Sequence, residues 1–192
     1  MPFSIPILLT WLRIVLIPLM IGVYYVPETW IVEVGRNLAA TLIFVLAGVT
    51  DWLDGYLARR WNETSAFGAF LDPVADKLVV AAALIMLVQL GRLDAVLAAI
   101  IIGREITISA LREWMAQMGA HKSVAVSAIG KVKTTAQIVS ISMLLYHDPI
   151  GNFDVQGMGT WLIYVAAVLT LWSMGYYMRM AWSHLDDMDK KA

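Results

Sequence analysis

Six stretches of about 20 mostly apolar residues succeed one another along the chain, near 7–26, 37–58, 72–90, 94–115, 128–147 and 159–181. A helix of that length crosses roughly 30 Å of hydrocarbon while bonding its backbone polar groups internally, which irregular chain in lipid cannot do. The chain is therefore expected to be all-α, a polytopic membrane protein built as a six-transmembrane-helix bundle. Composition agrees: 60% of residues are hydrophobic and 15% charged, against about 45–50% and about 25% in soluble domains. The breaks fall at turn-forming residues, namely Pro27-Glu28, Gly91-Arg92, Gly119 to Ser123, and Asp148 to Gly159. Connections this short leave no room for a second unit, so residues 1–192 are read as one membrane domain. The first run has no basic leader, lacks an A-x-A-like exit and carries Arg13, so it is expected to be a retained helix.

Lys and Arg near helix ends favour the cytoplasmic side. One set of ends collects Arg59, Arg60, Arg112, Lys122, Lys131, Lys133, Arg179, Lys190 and Lys191, and the other only Arg36 and Arg92. Both termini are thus expected in the cytoplasm. Trp11, Trp30, Trp61, Trp114, Trp161 and Trp182 lie near the ends of runs, as interfacial aromatic residues do. The chain has no cysteine, which excludes disulfides, thiolate metal sites and cysteine nucleophiles. No nucleic-acid partner is expected.

Against this background four aspartates stand out. Asp51, Asp54, Asp72 and Asp76 lie within 26 residues, in or beside apolar runs where a carboxylate is costly. Members of each pair are three or four residues apart, so each pair projects from one helix face. Two antiparallel neighbouring helices would bring the pairs together at the cytoplasmic end. Ionised carboxylates crowded into a low-dielectric pocket require cations, and hard oxygen donors suit magnesium, manganese or calcium. Gly48, Gly55 and Ala58 leave space for close helix approach or for a ligand.

Two other readings account for fewer of these features. Interfacial aspartates could simply pair with Arg59, Arg60, Arg104 and Lys77, but that leaves their matched spacing unexplained. A divalent-cation transporter would use such carboxylates in transit, yet no second acidic cluster continues toward the opposite face.

The run DWLDGYLARRWNETSAFGAFLDPVAD matches D-x2-D-G-x2-A-R-x8-G-x3-D-x3-D at Asp51, Asp54, Gly55, Ala58, Arg59, Gly68, Asp72 and Asp76. It resembles the signature of the CDP-alcohol phosphotransferase family, membrane enzymes with six transmembrane helices that join a CDP-activated group to an alcohol and release CMP. The segments IPILLTWLR, GREITISALREWMA and SVAVSAIGKVKTTAQ extend the resemblance over nearly the whole chain. They are similar to bacterial members that act on CDP-diacylglycerol and sn-glycerol 3-phosphate. Many relatives read P-N-x-L-T where this chain has Pro6-Ile7-Leu8-Leu9-Thr10, so the role of that asparagine is not carried over.

The resemblance implies two divalent cations, Mg2+ or Mn2+, held by Asp51, Asp54, Asp72 and Asp76. It implies that Asp76 is the catalytic base, and that Asp51, Gly55, Ala58, Arg59 and Gly68 bind CDP-diacylglycerol. It further implies a homodimer in the bacterial inner membrane with its active site facing the cytoplasm. A phosphorylated acceptor needs its own cations. Arg104 lies deep in the fourth run, and Arg112 follows eight residues later, about 80° around the helix and roughly 12 Å along it. Those two arginines, with Lys131 and Lys133, are the expected acceptor-phosphate site, with Glu105 and Glu113 placed to orient them. Inositol phosphate or serine as acceptor would use the same chemistry. His121-Lys122 reads as a solvated loop.

Overall fold

The computed structural model describes residues 5–61, 66–117 and 128–189. Among them the regular elements are six α-helices: α1 (Ile5–Gly22), α2 (Glu33–Trp61), α3 (Ala66–Gln89), α4 (Ala95–Gln117), α5 (Ala128–Tyr146) and α6 (Val155–Asp189), with a 3-10 turn at Val23–Tyr25. Local chemistry sets their ends. α3 stops where Gly91, at φ +67°, adopts the left-handed conformation. The Gly91 N–H then bonds the Val88 carbonyl at 3.0 Å and the Arg92 N–H bonds that of Leu87 at 2.9 Å, the paired closure of a Schellman motif. α4 begins with Asp94, whose carboxylate accepts the Val96 N–H at 2.8 Å, and α6 with Asp154, which accepts that of Gly157 at 2.9 Å. The expected breaks at Pro27-Glu28 and Gly91-Arg92 fall between helices, whereas the one expected over Asp148 to Gly159 ends earlier, at Asp154, because the Asp154 cap starts α6 at Val155. The one at Gly119 to Ser123, with His121 and Lys122, lies outside the described residues.

Among the described residues, three stretches are long and apolar enough to cross a membrane: Ile7–Tyr25, Glu33–Leu57 and Val155–Gly175. In α3, α4 and α5 charged residues interrupt the apolar run, namely Asp72, Asp76 and Lys77, then Arg104, Glu105, Arg112 and Glu113, then Lys131 and Lys133. The outward face of α2 is apolar, with Leu42, Val45, Leu46 and Val49 exposed at helical spacing. Its inward face carries Ala40, Phe44, Ala47, Thr50 and Asp54. Apolar outside and small or polar inside is the pattern lipid selects.

The core comprises Leu84 and Leu87 of α3, Ile101 of α4, Ile141, Leu144 and Leu145 of α5, and Ile163 of α6, with Leu16, Met20, Ala40 and Phe44 closing it from α1 and α2. α5 and α6 lie closest at Gly159, where a Cβ would come 3.0 Å from that of Met143. α1 packs extensively on both α2 and α3, while α2 and α3 touch each other only sparingly. The sequence expectation that α2 and α3 face each other directly is modified accordingly, because α1 lies between them.

Polar residues gather at the two ends of this bundle. At one end Arg92, just after α3, donates through Nη1 to the Leu145 and Leu144 carbonyls at 2.9 and 3.3 Å, and through Nη2 to Asn37 Oδ1 at 2.8 Å. Glu33 lies 3.5 Å from the same Nη2. Asn37 in turn donates to Asp148 at 2.9 Å. These bonds tie the start of α2, the end of α3 and the end of α5 into one clamp.

Candidate active site

The aspartates occupy the other end. Thr10 and Arg13 lie in the first half of α1, Asp51 and Asp54 lie late in α2, and Asp72 and Asp76 lie in the first half of α3. Three- and four-residue spacings aim each set from one side of its helix. The point on which they meet is the guanidinium of Arg13, only 1% exposed. Its Nη2 donates to Asp54 Oδ2 at 2.5 Å, and its Nη1 lies 2.7 Å from Asp51 Oδ1 and 3.9 Å from Asp76 Oδ1. Thr10 donates to Asp72 Oδ1 at 2.6 Å. Two residues of α1 thus reach all four aspartates.

The signature pairs are therefore brought to one locus, with a cation already in it. Among the described residues no three carboxylate or imidazole side chains close around a common point as a metal site requires. The donor set nonetheless suits a divalent metal, since it is all carboxylate oxygen and already converges on a positive charge. Asp54 is buried, Asp51 is half-buried and Asp76 is exposed, so the cluster runs from the interior to an accessible rim. A cavity of about 30 Å³ beneath it is lined by Arg13, Gly48, Asp76 and residues of α3 and α5. At Gly48 a Cβ would meet nothing within 4 Å, so this glycine borders open space rather than a close helix crossing.

Gly55 sits half-buried beside Asp54, and Gly68 is buried in the first turn of α3. The side chains of Ala58, Arg59, Arg112 and Lys131 lie outside the described ones. Arg60 donates to the Tyr56 hydroxyl at 2.7 Å on the outer face of α2, where Tyr56 stacks on Trp52. Among the described residues the cation ion-paired to the aspartates is thus Arg13, whereas the partners the sequence offers are Arg59, Arg60, Arg104 and Lys77. A usable signal was present: a guanidinium in an apolar run requires an anion at the same depth, and the aspartates are the acids nearest in register.

A second polar group spans α4 and α5. Arg104 donates to Glu105 Oε1 at 3.1 Å, Lys133 Nζ lies 4.0 Å from the same oxygen, and Gln137 donates to Oε2 at 3.3 Å. Lys133 is 2% exposed, which is rare for lysine and keeps its ammonium in a fixed place. Glu105 therefore orients Arg104 as expected from sequence, and it touches Lys133 as well. Glu105 and Lys77 line one further cavity, of about 190 Å³, between α3 and α4. This cavity and the one beside Asp76 share Val80 in their linings.

Comparison with known proteins bears on the chemistry of this end. Residues 3–172 match the family described as CDP-alcohol phosphatidyltransferase. The chain is similar to a protein of Escherichia coli (strain K12) named CDP-diacylglycerol--glycerol-3-phosphate 3-phosphatidyltransferase, 53% identical over 189 residues, covering 97% of this chain and 100% of the relative. A Shigella flexneri protein of the same name is likewise 53% identical over 189 residues, with the same coverage of both chains.

Proposed function

The chain belongs to the CDP-alcohol phosphatidyltransferase family, and from that premise we propose that it transfers the phosphatidyl group of CDP-diacylglycerol to sn-glycerol 3-phosphate. The products are phosphatidylglycerophosphate and CMP, so the reaction lies in phospholipid synthesis. The observation that carries the reading is the convergence of the four signature aspartates at one end of the bundle.

Asp51, Asp54, Asp72 and Asp76 would hold two divalent cations, Mg2+ or Mn2+, which when bound polarise the pyrophosphate and stabilise the charge on departing CMP. The residues of the chain do the rest. Asp76, the accessible member of the cluster, takes the proton of the glycerol hydroxyl as that oxygen bonds to the β-phosphorus and the bond to CMP breaks. Gly55, Ala58, Arg59 and Gly68 bind the CDP moiety, where Arg59 can meet phosphate oxygens through two parallel hydrogen bonds. Arg104 and Lys133, with Arg112 and Lys131, receive the acceptor phosphate. The pairing of Arg104 and Lys133 with Glu105 supports this, since it fixes two cations beside the aspartate end.

The same reading takes residues 1–192 as one domain whose six helices all span the membrane. It places the protein in the bacterial inner membrane as a homodimer, with both termini and the active site facing the cytoplasm. The test supplies purified protein with CDP-diacylglycerol, Mg2+ and one acceptor at a time, and follows CMP. Release is expected with glycerol 3-phosphate and is expected to stop when EDTA removes the metal. Release with serine or an inositol phosphate instead would overturn the acceptor assignment. Mn2+ flux into liposomes without CMP release would overturn the enzymatic reading in favour of transport.

A further inference from the structure

We infer that Arg13 is the resident counter-ion of the aspartate cluster, and that it competes with divalent cations for the carboxylates of Asp51 and Asp54. The inference rests on the proposed metal site and assigns a role to a residue outside the family signature.

The argument begins with charge. Four carboxylates gather, and among the described residues Arg13 is the cation that ion-pairs Asp51, Asp54 and Asp76 while Thr10 meets Asp72, so negative charge is in excess there. Asp54 is 3% exposed, and a buried carboxylate without a cation is costly. Arg13 supplies that cation from α1, the helix that packs on both α2 and α3. It does so by occupying carboxylate oxygens that a metal ion would use.

How well each guanidinium is satisfied distinguishes a placeholder from a permanent strut. Arg92, at the opposite end, has protein acceptors on both terminal nitrogens. Arg13 is more deeply buried, yet its Nε has no acceptor among the described residues, and its Nη1, though close to Asp51, is not aligned for a hydrogen bond. A buried donor left without a partner costs about 1–3 kcal/mol. Arg13 is thus held by the field of the carboxylates more than by a fitted set of acceptors, as expected of a cation that another cation can replace. Arg13 also borders the cavity it shares with Gly48 and Asp76, whose roughly 30 Å³ is the space of about one water.

The two roles predict opposite signs for metal binding. If Arg13 were a strut that organises the carboxylates, removing it would weaken metal binding; if it competes, removing it strengthens binding. The experiment uses the full-length protein in detergent or nanodiscs, with Mn2+ affinity measured by the EPR signal of free Mn2+ and melting followed in EDTA and in Mn2+. Arg13→Gln is expected to melt earlier than wild type in EDTA and to gain more from Mn2+. It should also bind Mn2+ about tenfold more tightly, the equivalent of ~1.4 kcal/mol. Arg13→Lys keeps the charge but loses the two-pronged contact, and should fall between the two. Affinity equal to or weaker than wild type in Arg13→Gln, or in Arg13→Lys where Arg13→Gln does not fold, would overturn the inference. Wild-type protein that binds no Mn2+ would overturn the metal site itself, a separate and recognisable failure.

Discussion

Each end of the bundle holds a buried arginine among acidic and polar partners, and the two are built on different terms. At the Arg92 end the charges are few and the hydrogen bonds many: two main-chain carbonyls, an asparagine and a glutamate surround one guanidinium. At the Arg13 end the charges are many and the hydrogen bonds few, with four aspartates meeting one arginine and one threonine. Closed networks rigidify a fold. An excess of one charge instead leaves capacity for a ligand. The comparison assigns architecture to one end and chemistry to the other, and substitutions at each should separate the two.

The largest expected effect is at Asp76. Asp76→Asn removes a proposed metal ligand and the proposed base together, so CMP release should fall by a factor on the order of a thousand or more, the usual scale for losing such a group. Because Asp76 is exposed and its contact with Arg13 is long, the melting temperature in detergent should change little. Turnover near that of wild type would remove Asp76 from the chemistry. A large drop in stability would erase the contrast between the ends.

Arg92→Gln should do the reverse. It removes the charged donor from the last carbonyls of α5 and from Asn37 Oδ1, leaving Leu145 and Asn37 only the longer bonds from the Tyr24 hydroxyl. Losing a part-buried charged donor costs about 1.5–3 kcal/mol, so the variant should melt well below wild type. The fraction that stays folded should keep its KM for both substrates, as read from CMP release under conditions where folding is verified. A selective rise in either KM would show that the Arg92 end reaches the site.

How much of this was legible in the sequence follows from the range of the interactions involved. The breaks at Gly91 and from Asp148 could be read because turn chemistry is local, though the second ends at Asp154, five residues short of the expected Gly159. The facing of Asp51 with Asp54, and of Asp72 with Asp76, could be read because helical spacing is also local. The contact from Arg13 to Asp54 spans 41 positions, and no periodicity encodes it. Only the cost of a cation in lipid hinted that Arg13 needed a partner. The placement of α1 between α2 and α3 was hidden for the same reason. Six runs were legible as six helices, but the charges that bring α3, α4 and α5 into the proposed site also make them poorer candidates for simple spans.

The smallest effect tests the comparison where it is easiest to miss. Asp94 caps α4 at the Arg92 end, accepting the N–H groups of Val96 at 2.8 Å and Leu97 at 3.4 Å. Asp94→Ala removes that acceptor while leaving the apolar packing of Leu97 and Ile101 in place, so the loss should be about 1 kcal/mol. Asp94→Asn restores an acceptor of the same shape and should recover most of it, which separates capping from charge. Arg104 stands ten residues along α4 from Asp94, roughly 15 Å of helix, and beyond it the helix reaches the proposed acceptor site. If the cap only anchors the helix, Asp94→Ala will lower the melting temperature by a few degrees and leave the KM for glycerol 3-phosphate unchanged. If that KM rises while melting barely moves, α4 transmits its register from one end to the other, and architecture and chemistry are joined through this helix.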